Sequence, residues 1–171
     1  IDVGSTTTDV IPILDGVPIP KGRTDTERLD NRELVYTGVR RTPVAVLVED
    51  RFAAELFATA LDVYLHLNMI PEDPADTDTA DGRPATREHA FDRLCRMYCG
   101  DRETVPALHI DYLAEKVMQR QVTMISRAHD CALYVIEERL DSTFEEDKKN
   151  AIKIIVGGSG EFLARRVEGR Y

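Results

Sequence analysis

Tryptophan is absent from this 171-residue chain, and only 6% of its residues are aromatic. Nothing in that composition suggests the aromatic platforms on which single-stranded nucleic acids stack. Basic residues are also in deficit, 22 Lys and Arg against 31 Asp and Glu, for a formal net charge of -9. Such a balance repels a phosphate backbone, and Arg40-Arg41 is too short a basic cluster to track one, so nucleic acid is not an expected partner. Cysteine is scarce and odd in number, with Cys95, Cys99 and Cys131 at no framework spacing. That pattern fits a reducing, cytoplasmic compartment rather than a disulfide scaffold. Cys95 and Cys99, four apart, would share a helix face, but no nearby Cys or His completes a zinc set, so both read as small packed side chains. No apolar run reaches the roughly 18 residues a membrane helix needs, so no membrane partner is expected.

What is present is enough apolar material for one domain with a true core, at 43% hydrophobic residues. The chain starts on an apolar residue, Ile1, inside a strand-like segment and without Met. The expectation is a fragment whose preceding portion is absent.

The front reads as β-rich. Val10 to Leu14 is a short apolar run interrupted by Pro12, which suits a strand edge, and Asp15-Gly16 signals a hairpin into Val17 and Ile19. "GRTDTERLDNRELVYTGV" reads as a polar turn and then a short strand at Leu34 to Tyr36, and "TPVAVLV" as a strand or packed loop. From Arg51 to Ile70 the pattern predicts a buried helix stopped by Pro71, with "PEDPADTDTADGRPAT" as a loop. Thr86 is a candidate N-cap for the next helix and Gly100 its stop. Apolar residues at steps of three and four predict one long helix from about His109 to about Leu140, with Gln121 its polar interruption. "AIKIIVGGSGEFLARRV" then reads as a buried strand, a glycine turn and a helix starting near Glu161. Among the histidines, His66 is expected to be a satisfied core residue, and His89, His109 and His129 lack mutual metal spacing.

Two elements share one design, an apolar strand entering a turn of small residues. Ile1-Asp2-Val3 leads into Gly4-Ser5-Thr6-Thr7-Thr8-Asp9, and Ile154-Ile155-Val156 into Gly157-Gly158-Ser159-Gly160. Glycine lets a backbone approach a ligand, and exposed N–H groups with Ser and Thr hydroxyls suit phosphate oxygens. Asp2, just before the first turn, is the candidate Mg²⁺ ligand, as hard cations take oxygen donors. Neither a Walker sequence nor Gly-x-Gly-x-x-Gly is present, and "GGSGE" lacks the last glycine of a hydrolase elbow. The Asp76–Arg87 loop misses the calcium-loop spacing by one residue and ends on Arg87 where a Glu is required.

"DVGSTTTDV" with the distant "IIVGGSGEF" resembles the second phosphate motif and the adenosine motif of the actin, heat-shock chaperone and sugar-kinase ATPase superfamily. The resemblance implies an α/β, ribonuclease H-like lobe with a mixed sheet and a large helical insertion, its N-terminal lobe absent. The sheet core would take 1–48 and 150–171, and the insertion 49–149. "GRTDTERL", "LVYTGVRRTPV" and "DTADGRPAT" followed by "RLCRMYC" narrow it. They resemble, in order, the hydantoinase/oxoprolinase-related proteins linked to tetrahydromethanopterin one-carbon transfer, of which this would be the C-terminal half.

That resemblance implies a methanofuran-biosynthesis transferase, joining an aminomethylfuran diphosphate to a tyramine-type phenol and releasing pyrophosphate. Its small-molecule substrate would be phosphorylated and its cofactor Mg²⁺. Gly4, Ser5, Thr6, Thr7, Thr8, Gly157, Gly158, Ser159 and Gly160 would hold phosphate or nucleotide. The phenol needs a base, for which Asp9, Asp25 and Glu27 are the candidates near the hairpin, while the catalytic part of Asp2 would be to hold Mg²⁺ against the leaving group. Arg40 and Arg41 either grip an anion bidentately or are plain surface arginines. Asp81 and Arg83 would face the substrate. An ATP-dependent kinase or hydantoinase/oxoprolinase-type amidohydrolase is the competing enzyme reading, with ATP as ligand. A non-catalytic module that serves a homo-oligomer through its helices is the third. A cleft enzyme needs both lobes, so the fragment alone is expected to be inactive.

Overall fold

The computed structural model describes residues 1–140 and 152–168. Its chain divides into two compact units, Ile1–Thr37 with the chain from Val122 onward, and Gly38–Gln121.

In the first unit, β1 (Asp2–Val3), β2 (Thr8–Asp9) and β5 (Leu34–Val35) form an antiparallel sheet in the order β1-β2-β5. Asp2 faces Asp9 and Val3 faces Thr8 across the first pair, and Thr8 faces Val35 across the second. β3 (Ile13–Leu14) and β4 (Val17–Pro18) make the expected hairpin. Its turn residues Asp15 and Gly16 have φ of 52° and 78°, the paired left-handed backbone of a type I′ turn. Pro12 stands just outside β3, where its carbonyl accepts from Ile19 N at 2.9 Å. α1 (Asp25–Asp30) lies between β4 and β5 in sequence, where only a polar turn was expected. Thr24 and Glu27 form a reciprocal capping box there, which suffices to start a helix with no buried residue.

Behind β1 the chain returns at 152–160. The expected strand at Ile154–Val156 is not formed as such. Its backbone runs beside β1, with Ile1 N donating to Ile155 O at 2.7 Å, but only Gly157 makes a bridge, parallel to Asp2, and Ile155 is 73% exposed. α5 (Glu161–Glu168) starts where predicted and buries Leu163, Ala164 and Val167 completely. Val10, Val35, Ala128 and Ala132 form a small core cluster of this unit, flanked by Ile1 and Met124.

The second unit holds a 3-10 turn (Val44–Val46), α2 (Ala60–His66) and α3 (Arg87–Arg96). "TPVAVLV" is therefore this turn and not a strand. The helix predicted from Arg51 begins only at Ala60, because the preceding backbone is otherwise engaged. Ala58 O accepts from Val44 N, and Thr59 bridges Pro43 before its capping box with Asp62 starts α2. Asn68, at φ 55°, ends the helical run three residues before Pro71. Thr86 caps α3, its hydroxyl accepting from His89 N at 3.4 Å. α3 stops before Gly100, with the left-handed turn falling at Cys99 (φ 55°). Cys99 is thus exposed and off the helix while Cys95 is buried, so the two share no face. Burial pushes the Cys95 thiol up to about 11. Leu61, Leu65, Ala85 and Ala90 pack together with Ile70 against them.

α4 (Ala107–Arg139) is the predicted long helix. Its first half gives Ile110, Leu113, Ala114 and Val117 to the second unit's core; its later residues Ile125, Ala128, Ala132 and Val135 belong to the first. Gln121, the polar interruption, is fully buried; it accepts from Tyr64 OH at 2.5 Å and donates through Nε2 to Gly38 O at 2.9 Å. No described helix is long and apolar enough to cross a membrane.

Candidate functional site: two glycine turns on one strand

The two glycine turns, 153 residues apart at their first glycines in sequence, meet at β1. Val3 N donates to Gly157 O at 3.0 Å, Gly157 N to Ile1 O at 3.0 Å, and Gly160 N to Val3 O at 2.8 Å. This rung leaves no room for a side chain at Gly158. A Cβ there would lie 2.3 Å from both Asp2 Oδ1 and Val3 O, and its φ is +83°. Only glycine lets the second turn press so closely on the first strand.

The first turn is closed by Gly4 N donating to Thr7 O at 2.9 Å. Among the described residues, no backbone acceptor receives the amides of Ser5, Thr6 and Thr7, and these residues are exposed or half-buried. Ser5 and Thr6 hydroxyls lie 3.5 Å apart. Thr8 does not share this surface: it is fully buried and its hydroxyl donates to Thr37 O at 2.7 Å. In the second turn, Gly160 is buried and its amide is taken by Val3, while Gly158 and Ser159 are exposed. The open donors are therefore those of residues 5–7, with Gly158 and Ser159 beside Asp2.

Of the four candidate carboxylates, three have local duties. Asp9 accepts from Arg28 Nη2 in a short ion pair, and Arg28 Nη1 reaches Asp25 Oδ1 at 3.5 Å. Glu27 caps α1, accepting from Arg23 N at 2.7 Å and Thr24 N at 3.3 Å. Asp2 is exposed and has no ion pair among the described residues. Across the β1–β2 pair it faces Asp9 directly, so both carboxylates lie on one sheet face.

Arg40, Arg41, Asp81 and Arg83 all belong to the second unit, where they form two separate clusters. Arg40 bonds Asp76 at 2.7 Å, and Arg41 approaches Asp78 at 3.6 Å with its side chain 65% exposed. Asp81 is gripped by three guanidiniums, those of Arg83 at 2.8 Å, Arg93 at 3.0 Å and Arg96 at 3.0 Å. Partial burial pushes the Asp81 carboxyl up, but bonds from Arg83 and Arg93 outweigh it and hold it at about 2. Arg83 also bonds Asp92 at 2.9 Å, so both members of this pair are engaged within the protein. His66 bonds Asp111 at 2.8 Å, so it is satisfied as expected, but it is half-buried at the end of α2 and not a core residue.

Sequence reading passed over Arg28 and the buried pair Arg93–Asp62, joined at 2.7 Å with both side chains essentially inaccessible. The signal for Arg28 was the Thr-x-x-Glu capping box at Thr24–Glu27, which announces a helix. For Arg93 the spacing carried none, because its partner is 31 residues away.

The hydantoinase/oxoprolinase family model matches residues 1–171. The chain belongs to the hydantoinase/oxoprolinase family. Two curated relatives carry the name (4-{4-[2-(gamma-L-glutamylamino)ethyl]phenoxymethyl}furan-2-yl)methanamine synthase. The one from Methanocaldococcus jannaschii is 34% identical over 179 residues, covering 100% of this chain and 50% of its own length. The one from Methanococcus vannielii is 38% identical over 115 residues, covering 63% of this chain and 51% of its own length. This hydantoinase/oxoprolinase chain thus spans about half the length of the curated relatives it matches. The matched residues include both glycine turns.

Proposed function

We propose that this chain carries the diphosphate-binding turns of a methanofuran-type synthase. The whole enzyme would join an aminomethylfuran diphosphate to a tyramine-type phenol. The phenol oxygen's electron pair forms the ether bond to the furan CH₂ as the C–O bond to diphosphate breaks. Pyrophosphate leaves with that electron pair, and the phenolic proton passes to a base. The observation that carries this reading is the meeting of both glycine turns at β1, with the amides of residues 5–7 open in the first and Gly158 of the second against Asp2. Oriented amides of this kind stabilise charge developing on a leaving group, often the largest catalytic contribution. The names of the two relatives, each with a phenoxymethyl-furan product, supply the substrate class.

A ribonuclease H-like, actin-type lobe is the fold under this reading: a phosphate hairpin between β1 and β2, and a Gly-Gly turn against β1 leading into α5. Mg²⁺ fits here only as a shared ligand. Among the described residues no three His, Cys, Asp or Glu side chains gather to hold a metal. Asp2 would be the residue of this chain to hold it, together with oxygens of the diphosphate and of water, as is usual for Mg²⁺. When bound, the ion neutralises charge on the leaving group. Of the four candidate carboxylates, Asp2 is the one with neither an ion pair nor a capping role among the described residues, while Asp25, facing Arg28 at 3.5 Å, keeps its side chain 82% accessible. Arg40, Arg41, Asp81 and Arg83 are assigned no substrate contact, since each has an acidic or basic partner within its own unit.

The competing reading is an ATP-dependent kinase or amidohydrolase, of which the amidohydrolase is the one that the family's description names. Thermal stability of the full-length protein separates them, measured with Mg²⁺ and pyrophosphate against Mg²⁺ and ATP, in wild type and Thr6→Ala. A ligand at 100 times its Kd stabilises by about 2.7 kcal/mol. Protection by pyrophosphate that Thr6→Ala removes supports the synthase. Protection by ATP alone moves the assignment to the second reading, and protection by neither sinks both.

A further inference from the structure

We infer that Arg28 is a positioning residue for the anion turn: by neutralising Asp9 it presents an incoming diphosphate with one uncompensated carboxylate, Asp2, instead of two. The inference rests on the reading of residues 4–7 as an anion turn.

The local geometry sets up the problem that Arg28 solves. Asp2 and Asp9 are register partners at the base of the β1–β2 hairpin. Directly opposed residues share a sheet face and approach closely, and like charges so placed repel. An anion on the turn between them would meet both. Arg28 crosses from α1, its Nη2 donating to Asp9 Oδ1 while Nη1 faces Asp25. Its side chain is 22% exposed, so the pair sits in a partly dry setting where charge is felt more strongly.

The construction of α1 points the same way. The helix has six residues and buries none, so it adds nothing to the core. It is nevertheless fixed at both ends. Thr24 and Glu27 cap its start. Beyond its end, the Glu33 carboxylate accepts from Lys21 N at 2.5 Å and Gly22 N at 2.9 Å, and is itself 3% exposed. Glu33 N donates to Arg28 O at 2.8 Å, tying the clasp to the residue concerned. Gly22 packs so closely that a Cβ there would lie 2.6 Å from Arg28 N and 2.8 Å from its Cγ. A helix without core residues, held this firmly, delivers one long side chain to the sheet. That side chain is Arg28.

The experiment is calorimetric titration of Mg²⁺-pyrophosphate into the full-length protein as wild type, Arg28→Met, Arg28→Lys and Arg28→Met/Asp9→Asn. Arg28→Met should weaken binding about tenfold, and more at low salt, by exposing the ligand to the second charge. Arg28→Lys, which keeps the charge, should stay within about threefold of wild type. The double variant, which removes both charges, should recover to about the same range. Wild-type affinity in Arg28→Met overturns the inference alone, and so does a double variant as weak as Arg28→Met, which would mean that Arg28 only holds the helix. Should Arg28→Met fail to fold, Asp9→Asn alone decides: undiminished or tighter binding agrees, and tenfold weaker binding refutes. Wild-type protein that binds neither pyrophosphate nor ATP overturns the anion-turn reading and this inference with it.

Discussion

Replacing Gly158 by alanine tests the contact on which the site depends. The new Cβ would lie 2.3 Å from Asp2 Oδ1, 2.3 Å from Val3 O and 2.7 Å from Val3 C. The carboxylate can swing away, but the Val3 peptide cannot without moving β1. Relief to ordinary contact needs a shift of about 1 Å, which carries the flanking bonds out of hydrogen-bond range. Two bonds then fail, Val3 N to Gly157 O and Gly160 N to Val3 O. At about 1 kcal/mol each they cost about 2 kcal/mol. The left-handed backbone adds about 1 kcal/mol for any L side chain. The expected loss is therefore about 3 kcal/mol.

Gly16→Ala is the matched control in the same unit. Its φ is +78°, yet no atom lies within 4 Å of the added Cβ. It carries the backbone cost alone, about 1 kcal/mol. Urea unfolding of both variants should differ by about 2 kcal/mol, and exchange of the Val3 and Gly160 amides should quicken only in Gly158→Ala. Equal losses in the two variants, or unchanged protection of Val3 and Gly160, would refute the close packing of the turns.

Three further outcomes follow from the second unit. Arg93→Met leaves the buried Asp62 without its guanidinium and should cost about 3–5 kcal/mol in urea unfolding at pH 7. Burial pushes the Asp62 carboxyl up from 3.8 to about 6, with the Arg93 charge opposing it. Between those pH values the folded chain binds the extra proton, so the Asp62 contribution to stability falls as pH rises from about 4 to about 6; Asp62→Asn should abolish that slope in urea midpoints taken across the window. Gln121→Leu removes the acceptor of the Tyr64 hydroxyl and one of the two donors to the Gly38 carbonyl, which keeps Thr42 Oγ1 at 3.1 Å, and should lower stability by about 1–3 kcal/mol, more than Tyr64→Phe in the same assay.

The legible parts of this fold were those set by local rules. Thr86 read as a cap, Asp15-Gly16 as a hairpin and the α4 stripe as one long helix, because capping, turn geometry and a 3.6-residue period each act within a few residues. Gln121 was visible only as an anomaly in that stripe; its partners Tyr64 and Gly38 are fixed by packing that no window contains. The failures have the same origin. Arg51–Ile70 has the composition of a helix, but Ala58 and Thr59 are drawn into pairing with Val44 and Pro43 before the chain can wind. Ile154–Val156 has the composition of a strand, but the rung it could extend is taken up at Gly157. At the candidate site, the two glycine turns were readable as separate elements. The assignment of duties among their neighbours was not. Thr8 and Asp9 look identical in kind to Thr7 and Asp2, and only tertiary partners, Thr37 and Arg28, remove them from the open surface.

That allocation also reconciles an acidic chain with the proposed anion site. A net charge of -9 argues against a nucleic-acid partner because a polymer spans many screening lengths and samples the whole surface. A diphosphate samples one spot. At physiological salt, charges more than about 8 Å away are largely screened, so the carboxylates that matter are those at the hairpin itself. There the opposed pair is Asp2 and Asp9, and Arg28 bonds Asp9. The remaining one, Asp2, lies where a divalent cation shared with the diphosphate would turn its charge from a repulsion into an attachment. On the proposed reading, the chain's overall charge would bear on which class of phosphate compound is disfavoured, while the hairpin's own few charges would decide which it could hold.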